Sequence, residues 1–350
     1  MWKSILLVVL GSLFSSCKGQ DSSSPAITMD EETAIPKSVW VIFQDTKGGY
    51  WFGSNGQGIY RYDGKRLTTV TIEDGLVDNT IRGMQEDKNG HIYIETPSGI
   101  SMYDGKTYTT LQPIRSDSNE WKLAPEDLWF GYNAYDLYRY DGKSLFELQL
   151  PRQDLFAAFG IETTGVPFKG NNNTPYAVFG VDKDVDGNIW FGTATAGAFR
   201  YDGKDFLWFG EKELSSLPDG RVPGVRSMIQ DKNGYFWLSN FVSKYKINSD
   251  LLSYKKIISV DILEAGLAEK LPYFMSAVAD KDGNIWMSTY GGGVWKYDGK
   301  VLSNIDVKNE DGDVLLISIF QDKEGTLWLG TDNDGIYKGD GATFEKFEPN

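Results

Sequence analysis

The 350-residue chain holds one histidine and one cysteine. A lone cysteine excludes an intramolecular disulfide. Together the two cannot build a His/Cys zinc cluster, so no metal site and no cofactor is expected. General acid–base chemistry by imidazole has one candidate, His91. Basic residues are in deficit as well, with 35 Lys and Arg against 49 Asp and Glu, a formal net charge of -14. That balance argues against a nucleic-acid groove, which needs a concentrated positive field. Long apolar runs are missing too. Ile5–Leu10 in "MWKSILLVVLGSLFSSC" follows Lys3 and gives way to small residues. This is the pattern of an export signal, and the run is too short to span a bilayer.

Glycine and the aromatics are plentiful, with 39 Gly, 19 Tyr and 11 Trp. Many tight turns between aromatic-bearing strands would use both. The aromatics also recur in register. Seven phrases share an anchor: "YWFGS" at Trp51, "IYIET" at Tyr93, "LWFGY" at Trp129, "IWFGT" at Trp190, "FWLSN" at Trp237, "IWMST" at Trp286 and "LWLGT" at Trp328. Two positions on stands a small residue, as in Gly53, Gly131, Gly192 and Gly330, with Ser in copies five and six. Twelve positions after the anchor comes the Asp of a "YDGK"-like phrase, at Asp63, Asp141, Asp202, Asp298 and Asp340. Copy two reaches Asp104 one residue sooner, and copy five offers "KYKINSD" instead.

Within a copy the pattern has period two. In "VRSMIQDKNGYFWLSN" a short apolar run meets an Asn-Gly turn and a second strand. A third strand, a "DGK" turn and a fourth strand follow. Each copy therefore predicts a four-stranded antiparallel meander. Such units bury a continuous core only when stacked, and this period describes a propeller blade. The expected fold is all-β: a seven-bladed β-propeller of four-stranded antiparallel blades. The anchor aromatics are expected to pack between blades. Copy three lacks the "DKNG" turn, so a tight or irregular first hairpin is expected there.

These phrases resemble the two-component regulator propeller repeat. "DKDGNIWMSTYGGGVWKYDGK" from Asp280, "DVDGNIWFGTATAGAFRYDGK" from Asp184 and "DKEGTLWLGTDNDGIYKGDG" from Asp322 carry the resemblance. It implies a sensor-type propeller, in a family whose members often respond to glycans. No kinase, receiver or DNA-binding segment is seen here, so the family's signalling output does not transfer. The repeat is also similar to the propeller of the streptogramin lyases, which depend on a catalytic histidine. His91 follows a "DKNG" turn, where a surface role is the better reading. "FSSC" resembles the lipobox of bacterial lipoproteins, which implies lipidation of Cys17. The expected organisation is a signal peptide over 1–16, a flexible tether over 17–37 and the propeller over 38–350. The expected location is the bacterial cell envelope, lipid-anchored, on the periplasmic side or the surface of the outer membrane. The lipid would be the sole membrane contact.

A site is expected on one face. The "DKNG" and "YDGK" turns are near-constant. The inter-blade segments, which emerge opposite, vary in length and character, as functional loops on a rigid scaffold do. The candidate ligand-binding residues there are Asn55, Trp121, Tyr132, Tyr135, Thr193, Trp208, Arg221, Arg226, Tyr290 and Asn333. Aromatic planes beside amides and guanidiniums suit sugar rings or peptide side chains. "DKDVDG" from Asp182 imitates the start of an EF-hand loop, but Thr193 stands where the twelfth-position Glu belongs. An ordinary Asp-rich turn explains it. The leading reading is a binding or sensory module for a glycan, peptide or envelope protein partner. The alternatives are a lyase-like or hydrolytic propeller enzyme and a structural or assembly scaffold.

Overall fold

A computed structural model of the chain describes residues 34–115, 121–131, 137–161, 174–214, 220–259 and 273–349. Seven four-stranded sheets follow one another along it. Blade one is β1 (Val39–Gln44), β2 (Tyr50–Ser54), β3 (Ile59–Tyr62) and β4 (Leu67–Val70). Blade two is β5 (Gly83–Glu86), β6 (Ile92–Thr96), β7 (Gly99–Tyr103) and β8 (Tyr108–Thr110). Blade three uses β9 (Pro113–Arg115), β10 (Leu128–Phe130), β11 (Leu137–Tyr140) and β12 (Leu145–Leu148). Blade four is β13 (Val178–Lys183), β14 (Ile189–Thr193), β15 (Ala198–Tyr201) and β16 (Phe206–Phe209). Blade five is β17 (Met228–Gln230), β18 (Phe236–Leu238), β19 (Ser243–Asn248) and β20 (Ser253–Ile258). Blade six is β21 (Ser276–Ala279), β22 (Ile285–Ser288), β23 (Val294–Tyr297) and β24 (Leu302–Ile305). A two-rung ladder, β25 (Lys308–Asn309) with β26 (Gly312–Asp313), precedes blade seven. That blade is β27 (Leu316–Gln321), β28 (Leu327–Thr331), β29 (Ile336–Gly339) and β30 (Phe344–Lys346).

The repeated phrase is explained bond by bond. The turn aspartate accepts backbone N–H groups two and four residues on, as Asp45 does from Lys47 and Gly49. Its other oxygen accepts the indole N–H of the anchor six residues on. This pairs Trp51 with Asp45, Trp190 with Asp184, Trp237 with Asp231, Trp286 with Asp280 and Trp328 with Asp322, at 2.7 to 3.1 Å. In copy two the Tyr93 hydroxyl donates to Asp87 instead. The basic residue of "YRYDGK" lies directly across the sheet and covers the anchor ring. Arg61 stacks on Trp51 at 4.2 Å and Lys296 on Trp286 at 4.7 Å. Asp184 in "DKDVDG" accepts from Asn188, Trp190 and Arg200, so it performs the repeat's ordinary turn role.

The aspartate of each "DGK" turn accepts the N–H groups two and three residues on. These donors hold the Asp63, Asp104, Asp298 and Asp340 carboxyls below the ordinary carboxylate range. A depressed acid contributes stability that is present above its unfolded value, about 3.9, and is lost as pH falls through the folded one. The melting temperature is therefore expected to drop below about pH 4. Asp298→Asn together with Asp340→Asn should make that acid limb shallower in a pH series of melting curves. An unchanged limb would show that these turns do not govern it.

Blade three departs from the expected meander. Its order is β10-β11-β12-β9, and β9 joins the outer edge parallel to β12. The expected irregular first hairpin is not formed. The chain leaves blade two, adds one strand outside blade three, and reaches β10 with no inner strand among the described residues. Without the turn, Leu123 stands six residues before Trp129 where the other copies have Asp. The Trp129 indole N–H is buried with no hydrogen-bond partner. Copy five differs in its second hairpin, whose strands are six residues each and whose turn carries Leu252 at φ 43°.

Each terminal blade is drawn from contiguous chain. Ring closure is by packing: Trp328 meets Tyr50 and Phe52, and Tyr50 donates its hydroxyl to Asp322 at 2.8 Å. "PAITMD", considered as a clasp strand, lies outside the described residues.

Candidate functional site

The inner strands surround a channel of about 540 Å³. One sequence position governs its mouth, five residues before the turn aspartate. That position holds Trp40, Arg82, Phe179, Arg226, Met275 and Ile317 in blades one, two, four, five, six and seven. All six line the channel and are partly exposed. Small residues follow next along the same strands: Gly83, Gly180, Ser276 and Ser318 also line it. Alternation along a strand sends the neighbouring residues, such as Val39, Ile81 and Val178, into the packing between blades.

The mouth is a connected network. The Arg82 guanidinium lies 4.2 Å from the Trp40 ring centroid, and Arg226 lies 4.8 Å from Phe179. Asp332 gathers three donors: Trp40 Nε1 at 2.9 Å, Tyr290 Oη at 3.0 Å and Ser38 Oγ at 3.3 Å. Asn55 Oδ1 accepts from Arg82 at 3.1 Å. The Tyr290 phenol is held above its ordinary value by burial first and then by its bond to Asp332. Deeper in the same channel, Asp182 accepts the Met228 N–H at 2.9 Å. Burial pushes its carboxyl up to about 6, with the Met228 bond pulling weakly the other way.

Of the residues expected from sequence, Arg226 and Tyr290 line the channel, and Asn55 supports it through Arg82. Arg221 and Asn333 are exposed and are not among the channel-lining residues. Three others serve packing. Trp121 sits among Trp129, Phe191, Tyr201 and Phe206. Thr193 is fully buried, its hydroxyl donating to the Gly197 carbonyl at 2.7 Å. Trp208 donates to the Ala196 carbonyl and packs on Phe199. Tyr132, Tyr135 and Cys17 lie outside the described residues. His91 bonds Asp87 in its turn at 3.0 Å and is not a channel residue. Sequence reasoning missed Trp40, Arg82, Phe179, Asp182 and Asp332. Counting back from the turn aspartates would have found the first three.

Residues 310–333 match the family model of the Two component regulator propeller. The match spans one copy of the repeat, across the turn and second strand of blade seven. Solved structures extend the likeness to the whole ring. The extracellular domain of BT4673 from B. thetaiotaomicron, described as a two component system protein, is 21% identical with a TM-score of 0.55. The match covers 86% of this chain and 38% of that one, so the chain spans about two fifths of its length. A catalytically inactive virginiamycin B lyase from Staphylococcus aureus, solved with quinupristin, is 13% identical with a TM-score of 0.58. Coverage there is 86% of this chain and 94% of the lyase. YCF48 bound to D1 peptide is 11% identical, with a TM-score of 0.56 and coverage of 89% and 97%. At these identities the likeness shows the fold alone. No curated protein matches the chain.

Proposed function

We propose that the chain is a lipid-anchored propeller of the bacterial cell envelope that binds or senses a glycan, peptide or protein partner at the channel mouth. The mouth ring carries this reading. Six equivalent positions of a repeat with near-constant turns hold six side chains chosen for no common scaffold role. Two are guanidiniums laid on aromatic rings, Arg82 on Trp40 and Arg226 on Phe179, which places planar cationic donors in the channel lining. The remaining aromatic and aliphatic members supply apolar surface, as ligand sites do. Cys17 would tether the propeller by lipid, on the periplasmic side or at the surface of the outer membrane, with residues 17–37 as spacer. The likeness to the BT4673 extracellular domain and to a propeller solved with a peptide supports a recognition role.

Screening the Cys17→Ser protein on glycan and peptide arrays would identify ligands. Arg82→Ala and Arg226→Ala are then expected to weaken binding at least about tenfold each in calorimetric titration, with unchanged melting. Affinity that survives both changes would sink the mouth as the site.

The lyase reading is favoured by one observation, Asp182. A carboxyl with a value of about 6, inside a channel, can hold or move a proton near neutral pH. Turnover of a bound ligand, abolished in Asp182→Asn, would select that reading over simple binding.

A further inference from the structure

In six blades the inner edge of the second strand is covered by that blade's own inner strand. In blade three no described strand covers it. Among the described residues β10 is innermost, and Trp129 and Gly131 line the channel. Side chains of blade two meet its backbone. Gln85 Nε2 donates to the Trp129 carbonyl at 2.7 Å, and the Gly131 N–H donates to Glu95 Oε1 at 2.7 Å.

Glu95 is itself the telling substitution. It occupies the position of Gly53, Gly192 and Gly330, two after the anchor. At those glycines a Cβ would collide with the chain that leads into the next blade's inner strand: Ile81 at 2.6 Å from Gly53, and the Val225 carbonyl at 2.2 Å from Gly192. A glutamate fits in copy two, where no inner strand of blade three presses on it among the described residues. The result is a slot along the inner edge of β10 in which two polar side chains of blade two hold the backbone. It lies beside the mouth ring, to which blade three contributes no member among the described residues.

We infer that this slot takes an extended peptide as the missing inner strand of blade three, pairing with the backbone of Trp129 and Gly131 and displacing Gln85 and Glu95. An uncovered edge strand is a template for such addition. The peptide is basic. Asp182 lines the same cavity, its partner is the Met228 N–H, and no cation pairs with it among the described residues. The nearby cations are engaged with other groups: Arg82 on Trp40, Arg226 on Phe179 and the Pro223 carbonyl, Lys183 on the Pro125 carbonyl, Arg139 on Asp127. The inference rests on the binding-module reading and names the ligand class for that channel.

The probe is acetyl-VRSMKQ-amide, the inner strand of blade five with lysine at the place of Ile229. It is titrated by fluorescence anisotropy into the full chain in detergent. Saturable binding is expected. N-methylation of alternate backbone amides should weaken it about tenfold or more, because the strand bonds are lost. The acidic analogue VESMEQ should bind about tenfold more weakly as well. Asp182→Asn should narrow the preference for the basic peptide and keep the sensitivity to N-methylation. Absence of saturation up to about 1 mM overturns the inference. So does equal binding of the N-methylated probe, which leaves the channel as a binding site reached by side chains alone. A glycan whose binding depends on Arg226, with no peptide binding, overturns strand addition and leaves the module reading intact.

Discussion

Replacing Trp190 by alanine is expected to lower the free energy of unfolding by about 3–5 kcal/mol. The ring is 1% exposed and stacks on Phe236 of the next blade at 4.6 Å, so its loss opens a cavity at a blade interface. Its indole N–H donates to Asp184, a carboxylate that also receives Arg200 and is almost wholly buried. The polar part can be separated from the packing part. Trp190→Phe and Trp129→Phe remove similar volume from equivalent positions. The first also deprives a buried carboxylate of a donor. The second removes an N–H that has no partner. Trp190→Phe should therefore cost about 1.5–3 kcal/mol more than Trp129→Phe. Chemical denaturation of the two variants checks this. Equal losses would show that the indole–carboxylate bond contributes no net stability, and that the repeat keeps it for another reason.

The same comparison shows why the fold was readable from sequence and the site only in part. Trp190, Asp184 and Arg200 are tied to each other by bonds within one blade, and Asp202 closes its own turn in the same blade. Each copy must solve that local problem, so the solution repeats and can be seen. The channel has no such constraint. Trp40, Arg82, Phe179, Arg226, Met275 and Ile317 share a position and no chemistry, so they leave no phrase to find. Attention to variable loops led to Tyr290 and Asn55 at the rim. It also led to Trp121, Thr193 and Trp208, whose polar or aromatic groups are spent on packing. The rewiring of blade three was hidden for a different reason. Pro113–Arg115 is three residues long and begins with proline, a residue suited to a sheet edge and too short a run to show alternation. The missing turn was visible, but its absence alone does not say where the strand went. Glu95 supplies the missing half of the evidence. A glutamate where other copies need glycine or serine matches a facing blade with no inner strand among the described residues.

Asp182 is expected to destabilise the protein it belongs to. Its carboxyl is buried in the channel wall, and burial raises its value to about 6. Between that value and about 3.9 the folded chain binds a proton that the unfolded chain has released, so stability falls as pH rises through this window. Above pH 6 the full cost is present. Asp182→Asn removes the charge and keeps an oxygen for the Met228 N–H. The variant is expected to be more stable than the parent by about 1–3 kcal/mol at pH 7.5, and nearly equal to it at pH 4. Paired melting curves at the two values measure the difference directly. The sign is opposite to that of the "DGK" aspartates, whose loss of charge weakens the fold. The variant-minus-parent comparison at each pH separates the two. A variant less stable at pH 7.5 would mean that Asp182 is a structural acceptor of the blade four–five interface. A more stable variant would identify a carboxylate retained against its own energetic interest, as groups kept for binding or chemistry are. In this channel it shares the lining with two stacked guanidiniums and with a blade that shows no inner strand among the described residues. The charge then has a use only when something enters.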